Sequence, residues 1–255
     1  DYIGTIGYGL KEMKGREHTF LALNTSNYFL GKQEVRRAIS YCIDKENITS
    51  SIFNSKYFTS SFSLDYGNWL YQDQDASSGY NVDQAKQVLL DNGWTYRNSY
   101  WQKTENSRTQ RISLNLLVRA SDSSKVAVAE NIKGQLENQG IRINVVKASD
   151  EQYNNAINER DYDIALCSMT LSPSPDLDIF FGTSNLANYS NEEVTNIMNE
   201  VKNTTDENAL KERYARLAEI YKTDVPYISL YNKKYKAAYS SSLLRDINPN
   251  WFNLF

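Results

Sequence analysis

The chain has 255 residues, 40% of them hydrophobic and 23% charged, with a formal net charge of −3. This suits a soluble globular protein of one large or two small domains; the absence of a basic stripe argues against nucleic acid as a partner, and no apolar run approaches the ~18 residues of a membrane span. Two cysteines, Cys42 and Cys167, and one histidine, His18, cannot build a Cys/His zinc site at any familiar spacing.

The chain opens at Asp1 without an initiator Met and reads as a segment of something longer. The glycines of "GTIGYG", Gly4 to Gly9, read as a plain turn because no strand precedes them. "HTFLALNTS" (residues 18–26) alternates and then stays apolar, which predicts a strand. In the next segment Val35, Ile39 and Cys42 share a helical face with Ala38 beside them. Asp44 is placed to cap a second short helix, with Ile48 and Ile52 inward. Residues 54–80 are rich in Ser, Tyr, Phe and Asp and lack periodicity, so they read as a long surface excursion ordered by its aromatics.

A helix with Val82, Ala85 and Leu89 on one face follows, with Asn81 to cap it and Gly93 to stop it. "NSYWQKTENSRTQR" (98–111) reads as a hairpin or an extended loop leading into a strand. From there the order is plain: strand "ISLNLLV", a helix with Val128, Ile132 and Leu136 inward and Gly140 at its end, strand "IRINVVKA", helix "DEQYNNAINERD", strand "YDIALCS". Such alternation predicts βαβ units with right-handed crossovers and a mainly parallel sheet flanked by helices, an α/β fold. Two more helices are expected, one opening at Ser190 or Asn191 and one over about 207–222. A strand "VPYISLYN" then follows, with Pro226 at its start or edge, and "KAAYSS" is a candidate for another.

Chemistry is sparse. No Ser-x-x-Lys, Gly-x-Ser-x-Gly, His-Glu-x-x-His or phosphate loop occurs, and no EF-hand pattern. The acidic pairs are Asp161 with Asp163, Asp176 with Asp178, and Glu192 with Glu193. A glycosidase needs two carboxyls facing across a cleft, but acids near strand and helix ends ordinarily cap or stay solvated. The expectation is a binding protein, not an enzyme, with no metal and no cofactor. Both cysteines lie in apolar stretches and are expected to be buried free thiols.

The segment "FLALNTSNYFLGKQEVRRAISYCIDKENI" resembles the first stretch of the C-terminal lobe of family 5 extracytoplasmic solute-binding proteins, the oligopeptide/dipeptide/nickel class. The family's pattern is matched by Asn24, Val35, Arg36, Ala38, Tyr41, Ile43 and Asp44. "YNVDQAKQVLLDNGW", "AENIKGQLENQGIRINV", "RDYDIAL", "NLANYSNEEVTNIM" and "ENALKERYARLAEIYKTDVPYISLY" are similar to later family motifs in the same order. The resemblance covers about 18–232. It implies a periplasmic-binding-protein-like lobe (type II, cluster C), with 1–17 as a linker from a missing N-terminal part, 18–232 as the C-terminal ligand-binding lobe, and 233–255 as an extension returning toward the other lobe.

The function it implies is capture of oligopeptides outside the membrane and delivery to an ABC permease and its ATPase subunits, with other solutes (metal chelate, oligosaccharide) as the alternative. It implies no nucleic acid and membrane attachment only through a lipid anchor outside this chain. The setting would be a cell-surface lipoprotein, a Gram-positive source being favoured, or the periplasm. Carried over by position, Ser168, Met169, Thr170, Leu171 and Ser172 would line the ligand, with Asn24 on the preceding strand. The family often has Gly-Trp where Ser168 and Met169 stand. Many of its peptide binders place an Asp at Ser172, to pair with the ligand's amino terminus; a neutral hydroxyl cannot make that charge-assisted pair. Asp176 or Asp178 would replace it only if the loop folds back.

Overall fold

A computed structural model describes residues 7–71 and 76–242. Residues 4–6 of the glycine segment and 243–255 of the expected terminal extension lie outside the described residues.

In chain order, strand β1 (Tyr8–Leu23) leads into helices α1 (Gln33–Cys42) and α2 (Lys45–Phe53). Val35, Ala38, Ile39 and Cys42 are the buried stripe of α1, and Asp44 caps α2 by accepting from the Asn47 N–H at 2.9 Å. Strand β2 (Tyr57–Thr59) lies within the aromatic excursion. Helix α3 (Val82–Asp91) is capped by Asn81 and followed by Gly93 in the left-handed region. The hairpin-or-loop segment becomes a small antiparallel sheet, β3 (Thr95–Arg97), β4 (Tyr100–Glu105) and β5 (Arg108–Arg111).

The alternating part follows: β6 (Ser113–Arg119), α4 (Ser123–Glu137), β7 (Arg142–Ala148), α5 (Asp150–Glu159), β8 (Ile164–Thr170). Asp122 caps α4, and Ser149 with Gln152 forms a capping box on α5. A one-turn helix, α6 (Asp178–Phe181), precedes α7 (Glu192–Asn203), α8 (Glu207–Asp224) and β9 (Tyr227–Ser240). Asn191 is the cap of α7 and Asp206 that of α8.

The main sheet has the order β2-β9-β1-β8-β6-β7. β6 pairs in parallel with β7 and β8, while β1 is antiparallel to β8 and β9, and β2 is antiparallel to β9. The βαβ half is parallel as its alternation predicts, and the other half makes the sheet mixed. Alternate residues serve opposite faces. Leu21, Leu23, Leu116, Ile164, Leu166 and Leu230 pack with α1 and α4, whereas Phe20, Ala22, Ala165, Cys167 and Tyr227 pack with α5, α7 and α8. Cys42 and Cys167 are both free and buried.

β1 and β9 extend beyond the sheet. Their pairing continues from Lys14–Lys234 to Tyr8–Ser240 as a two-stranded ribbon. The sequence boundaries at 17/18 and 232/233 both fall inside these strands, and "KAAYSS" continues β9 instead of forming a separate strand. Gly15 is needed in this ribbon: a Cβ there would sit 2.4 Å from the Tyr235 ring and 2.5 Å from the Lys233 carbonyl. Where the ribbon leaves the sheet, His18 is fully buried. Its Nδ1 meets Asn232 Oδ1 at 2.7 Å and its Nε2 meets Ser63 Oγ at 3.1 Å. Asn232 donates its amide to the Gly15 carbonyl, which fixes Oδ1 as the acceptor for His18. Ser63 ties the excursion to this junction through Tyr221 and Ser229.

Candidate functional site

The chain leaving β6 turns to α4 on one face of the sheet. The chain leaving β8 turns to the other face, where Leu171, Leu177 and Phe180 are buried. Neighbouring parallel strands whose exits diverge leave a crevice at their carboxyl ends, the usual ligand position of an open α/β sheet. Here it is a hollow of about 360 Å³ lined by Glu17, Thr19, Phe53, Tyr57, Asp122, Ser124, Lys125, Ser168, Met169, Thr170 and Tyr231.

Its floor follows from strand register. Glu17 faces Thr170 and Thr19 faces Ser168 across β1 and β8. Thr19 Oγ1 and Ser168 Oγ are 2.9 Å apart, and Tyr231 stands opposite Thr19 across β1 and β9. Asp122 and Lys125 come from the first turn of α4 and are paired at 3.1 Å. Burial would lift the Asp122 carboxyl, but the Lys125 N–H and ammonium outweigh it and hold it below its ordinary range. Glu17 is paired with Lys233 at 3.4 Å. Phe53, Tyr57 and Tyr231 form one wall, with ring centroids 4.2 to 5.1 Å apart. Burial raises the pKa of the Tyr57 hydroxyl.

One feature of β8 bears on recognition. Its bridges to β1 run to Thr170, but its bridges to β6 end at Ala165 with Leu117. Beyond Ala165, among the described residues, the β6-facing edge of β8 has no strand partner. Tyr153 reaches the Leu166 carbonyl there at 2.8 Å, so the uncovered stretch is Cys167–Thr170.

The structure brings together Ser168, Met169 and Thr170 of the expected residues. Ser168 and Thr170 are exposed, while Met169 packs partly against the core on the opposite face. Leu171 departs from the expectation for a lining side chain: it is 3% exposed, sits in the core, and its N–H donates to the Arg16 carbonyl. Ser172 is exposed, and its Oγ accepts the Ser174 N–H at 3.1 Å.

Asn24 is not brought to the crevice. It lies at the other end of β1, five residues past Thr19, roughly 17 Å away at ~3.4 Å per residue. There its amide donates to the Arg160 and Tyr162 carbonyls and its oxygen accepts from the Ser26 N–H and the Asn188 amide. Asp176 caps the Asp178 N–H and Asp178 pairs with Lys202, so neither folds back to Ser172. Glu193 is engaged by Arg216.

Sequence reasoning missed Thr19, Tyr57, Tyr231, Glu17, Asp122 and Lys125. The alternation Glu17, Thr19, Leu21, Leu23 was available as a one-face signal, but which face opens to a crevice depends on pairing with β8.

A family model described as bacterial extracellular solute-binding proteins, family 5 Middle, matches residues 4–191. Among curated proteins, Heme-binding protein A of Haemophilus influenzae is 23% identical over 230 residues, 86% of this chain and 40% of that protein. Oligopeptide-binding protein AppA of Bacillus subtilis is 24% identical over 226 residues, 84% of this chain and 41% of that protein. The chain thus spans about two-fifths of the curated relatives it matches. The solved structure of AppA from Bacillus subtilis in complex with a nonapeptide superposes with a TM-score of 0.80 at 21% identity, covering 93% of this chain and 49% of that one. NikA from Brucella suis in complex with Fe(III)-EDTA gives 0.79 at 16% identity, covering 98% of this chain and 51% of that one. At these identities the structures share the fold.

Proposed function

This chain belongs to the bacterial extracellular solute-binding proteins of family 5, and from that premise we propose that it is one lobe of the substrate-binding subunit of an ABC importer. The subunit captures oligopeptides outside the membrane and passes them to the permease and its ATPase partners. It is held at the cell surface by a lipid anchor outside this chain, or is free in the periplasm. The segment 18–232 is the ligand-binding lobe, and the ribbon of β1 and β9 leads toward a second lobe in the longer protein.

The observation that carries this reading is the unpaired edge of β8 at Cys167–Thr170, beside the crevice. A peptide laid along it as an added strand would be held by main-chain hydrogen bonds to Ser168 and Thr170, whose N–H and C=O groups point away from β1, with their hydroxyls beside it. Such recognition tolerates many sequences. Oligopeptide-binding AppA among the relatives supports the peptide assignment.

A second reading keeps the importer and changes the solute to a metal chelate or oligosaccharide. It is favoured by the neutral Ser172, already engaged by Ser174, and by the heme and Fe(III)-EDTA in the names of relatives. Native mass spectrometry of the full-length protein separates the two. Heterogeneous peptides carried through purification support the first; one chelate or sugar species and no peptide supports the second.

A further inference from the structure

The crevice holds a wall that strand addition does not use. Tyr57 lies on the three-residue edge strand β2, half-buried, wedged against Phe53 at 4.2 Å and Tyr231 at 5.1 Å. Tyr231 is almost wholly buried on β9, opposite Thr19 in the ladder with β1, so the cluster is anchored in the sheet. A ring held by its neighbours loses little freedom on binding. Across the hollow stand Ser168 and Thr170, both small, while Met169 turns to the other face. Space is therefore left facing Tyr57. The charges lining the hollow are already matched, Asp122 with Lys125 and Glu17 with Lys233. A charged group entering here would have to break an existing pair, whereas a neutral one would not.

We propose that Phe53, Tyr57 and Tyr231 form the specificity-determining wall of the solute site and receive a neutral ring of the solute against Tyr57. The ring is an aromatic side chain of a peptide or the face of a pyranose, since both offer C–H edges or faces to an aromatic surface. This assignment rests on the reading of the crevice as the solute site. It shifts the aromatic contact from the strand end, where Ser168 and Met169 stand, to the sheet edge.

The test is calorimetric titration of the full-length protein and of its Tyr57→Phe and Tyr57→Ser variants. The ligands are short peptides that carry Phe, Lys or Ala at one position at a time, and a hexose oligosaccharide. At one peptide position, Phe should bind on the order of tenfold more tightly than Ala, the size of one aromatic contact, and Lys should gain nothing. Tyr57→Phe should keep that preference and Tyr57→Ser should reduce it to within about twofold. Oligosaccharide binding with the same dependence on Tyr57 would support the wall and assign the ring to a sugar. A ring preference that survives Tyr57→Ser, or no ring preference in a protein that does bind peptides, would overturn the wall while leaving the importer reading intact. Binding of neither ligand class by the wild type would overturn the oligopeptide reading and the wall with it.

Discussion

The two ends of the main sheet carry hollows of similar size, about 360 Å³ at the carboxyl end of β8 and about 440 Å³ at its amino end. Both are lined by polar side chains, mainly amides and carboxylates at the amino end and hydroxyls and carboxylates at the carboxyl end. They differ in what those groups already do. At the amino end Asn24 makes bonds through both its amide and its oxygen, and Asp163 accepts from Asn27, from the Asn115 N–H and from the Asn115 side chain. At the carboxyl end Thr170 has no side-chain hydrogen bond among the described residues, and the backbone beside it has an unpaired edge. Neither volume nor polarity tells a binding site from a structural joint here. The unpaired strand edge does, because it leaves main-chain groups free to meet a ligand.

The largest effect expected from this contrast is on stability. Asn24→Leu would leave the Arg160 and Tyr162 carbonyls, the Ser26 N–H and the Asn188 amide without their partner, costing roughly 4 kcal/mol or more at ~1–3 kcal/mol per orphaned group. Urea unfolding measures it, and solute affinity in the folded fraction should not change. A loss of affinity without a loss of stability would exchange the roles of the two ends.

The saturated interior beneath the crevice gives the next effect. Burial lowers the pKa of His18 to about 4 from its ordinary 6.5, against the opposing effect of the hydrogen bond that His18 donates to Asn232. The unfolded chain therefore binds a proton that the folded one refuses between those values. The stability from keeping His18 neutral is full above about pH 6.5 and is lost as pH falls toward 4, on the order of 3 kcal/mol in all. Stability measured from pH 7 to 4.5 should show this slope, and His18→Gln should flatten it. An unchanged slope in the variant would place the titration elsewhere.

Smaller still is Gly15→Ala, where Tyr235 and the Lys233 carbonyl block a Cβ. Overpacking should cost about 1–3 kcal/mol, read as a lowered melting temperature. The smallest belongs to the open end. Ser168→Ala should change stability by less than about 0.5 kcal/mol, as for an exposed side chain. Unfolding that shifts by much more would mean that Ser168 is part of a joint after all.

The sequence made the parallel half of this fold legible because its elements are local and periodic. Caps at Asp44 and Asn81, the helix start at Ser190 or Asn191, and the run from Ile112 to Cys167 needed no partner to be read. The ribbon was not legible. Residues 8–17 have glycines and mixed charges in place of an apolar alternation, and they become a strand only because β9 lies beside them. The site was half legible for the same reason. Ser168–Thr170 could be placed at a strand end by position, whereas Leu171 turned inward and Asn24 went to the opposite end. Tyr57 and Ser168 come to line one hollow through pairing across more than a hundred residues, which no local pattern encodes.

Hydrogen exchange on the full-length protein with and without bound solute tests most directly the claim that the open end of the sheet is the solute face. Protection should rise at residues 167–171 and 119–125 and stay unchanged at 24–27 and 160–163. Protection gained at 24–27 and 160–163, with 167–171 unchanged, would contradict it.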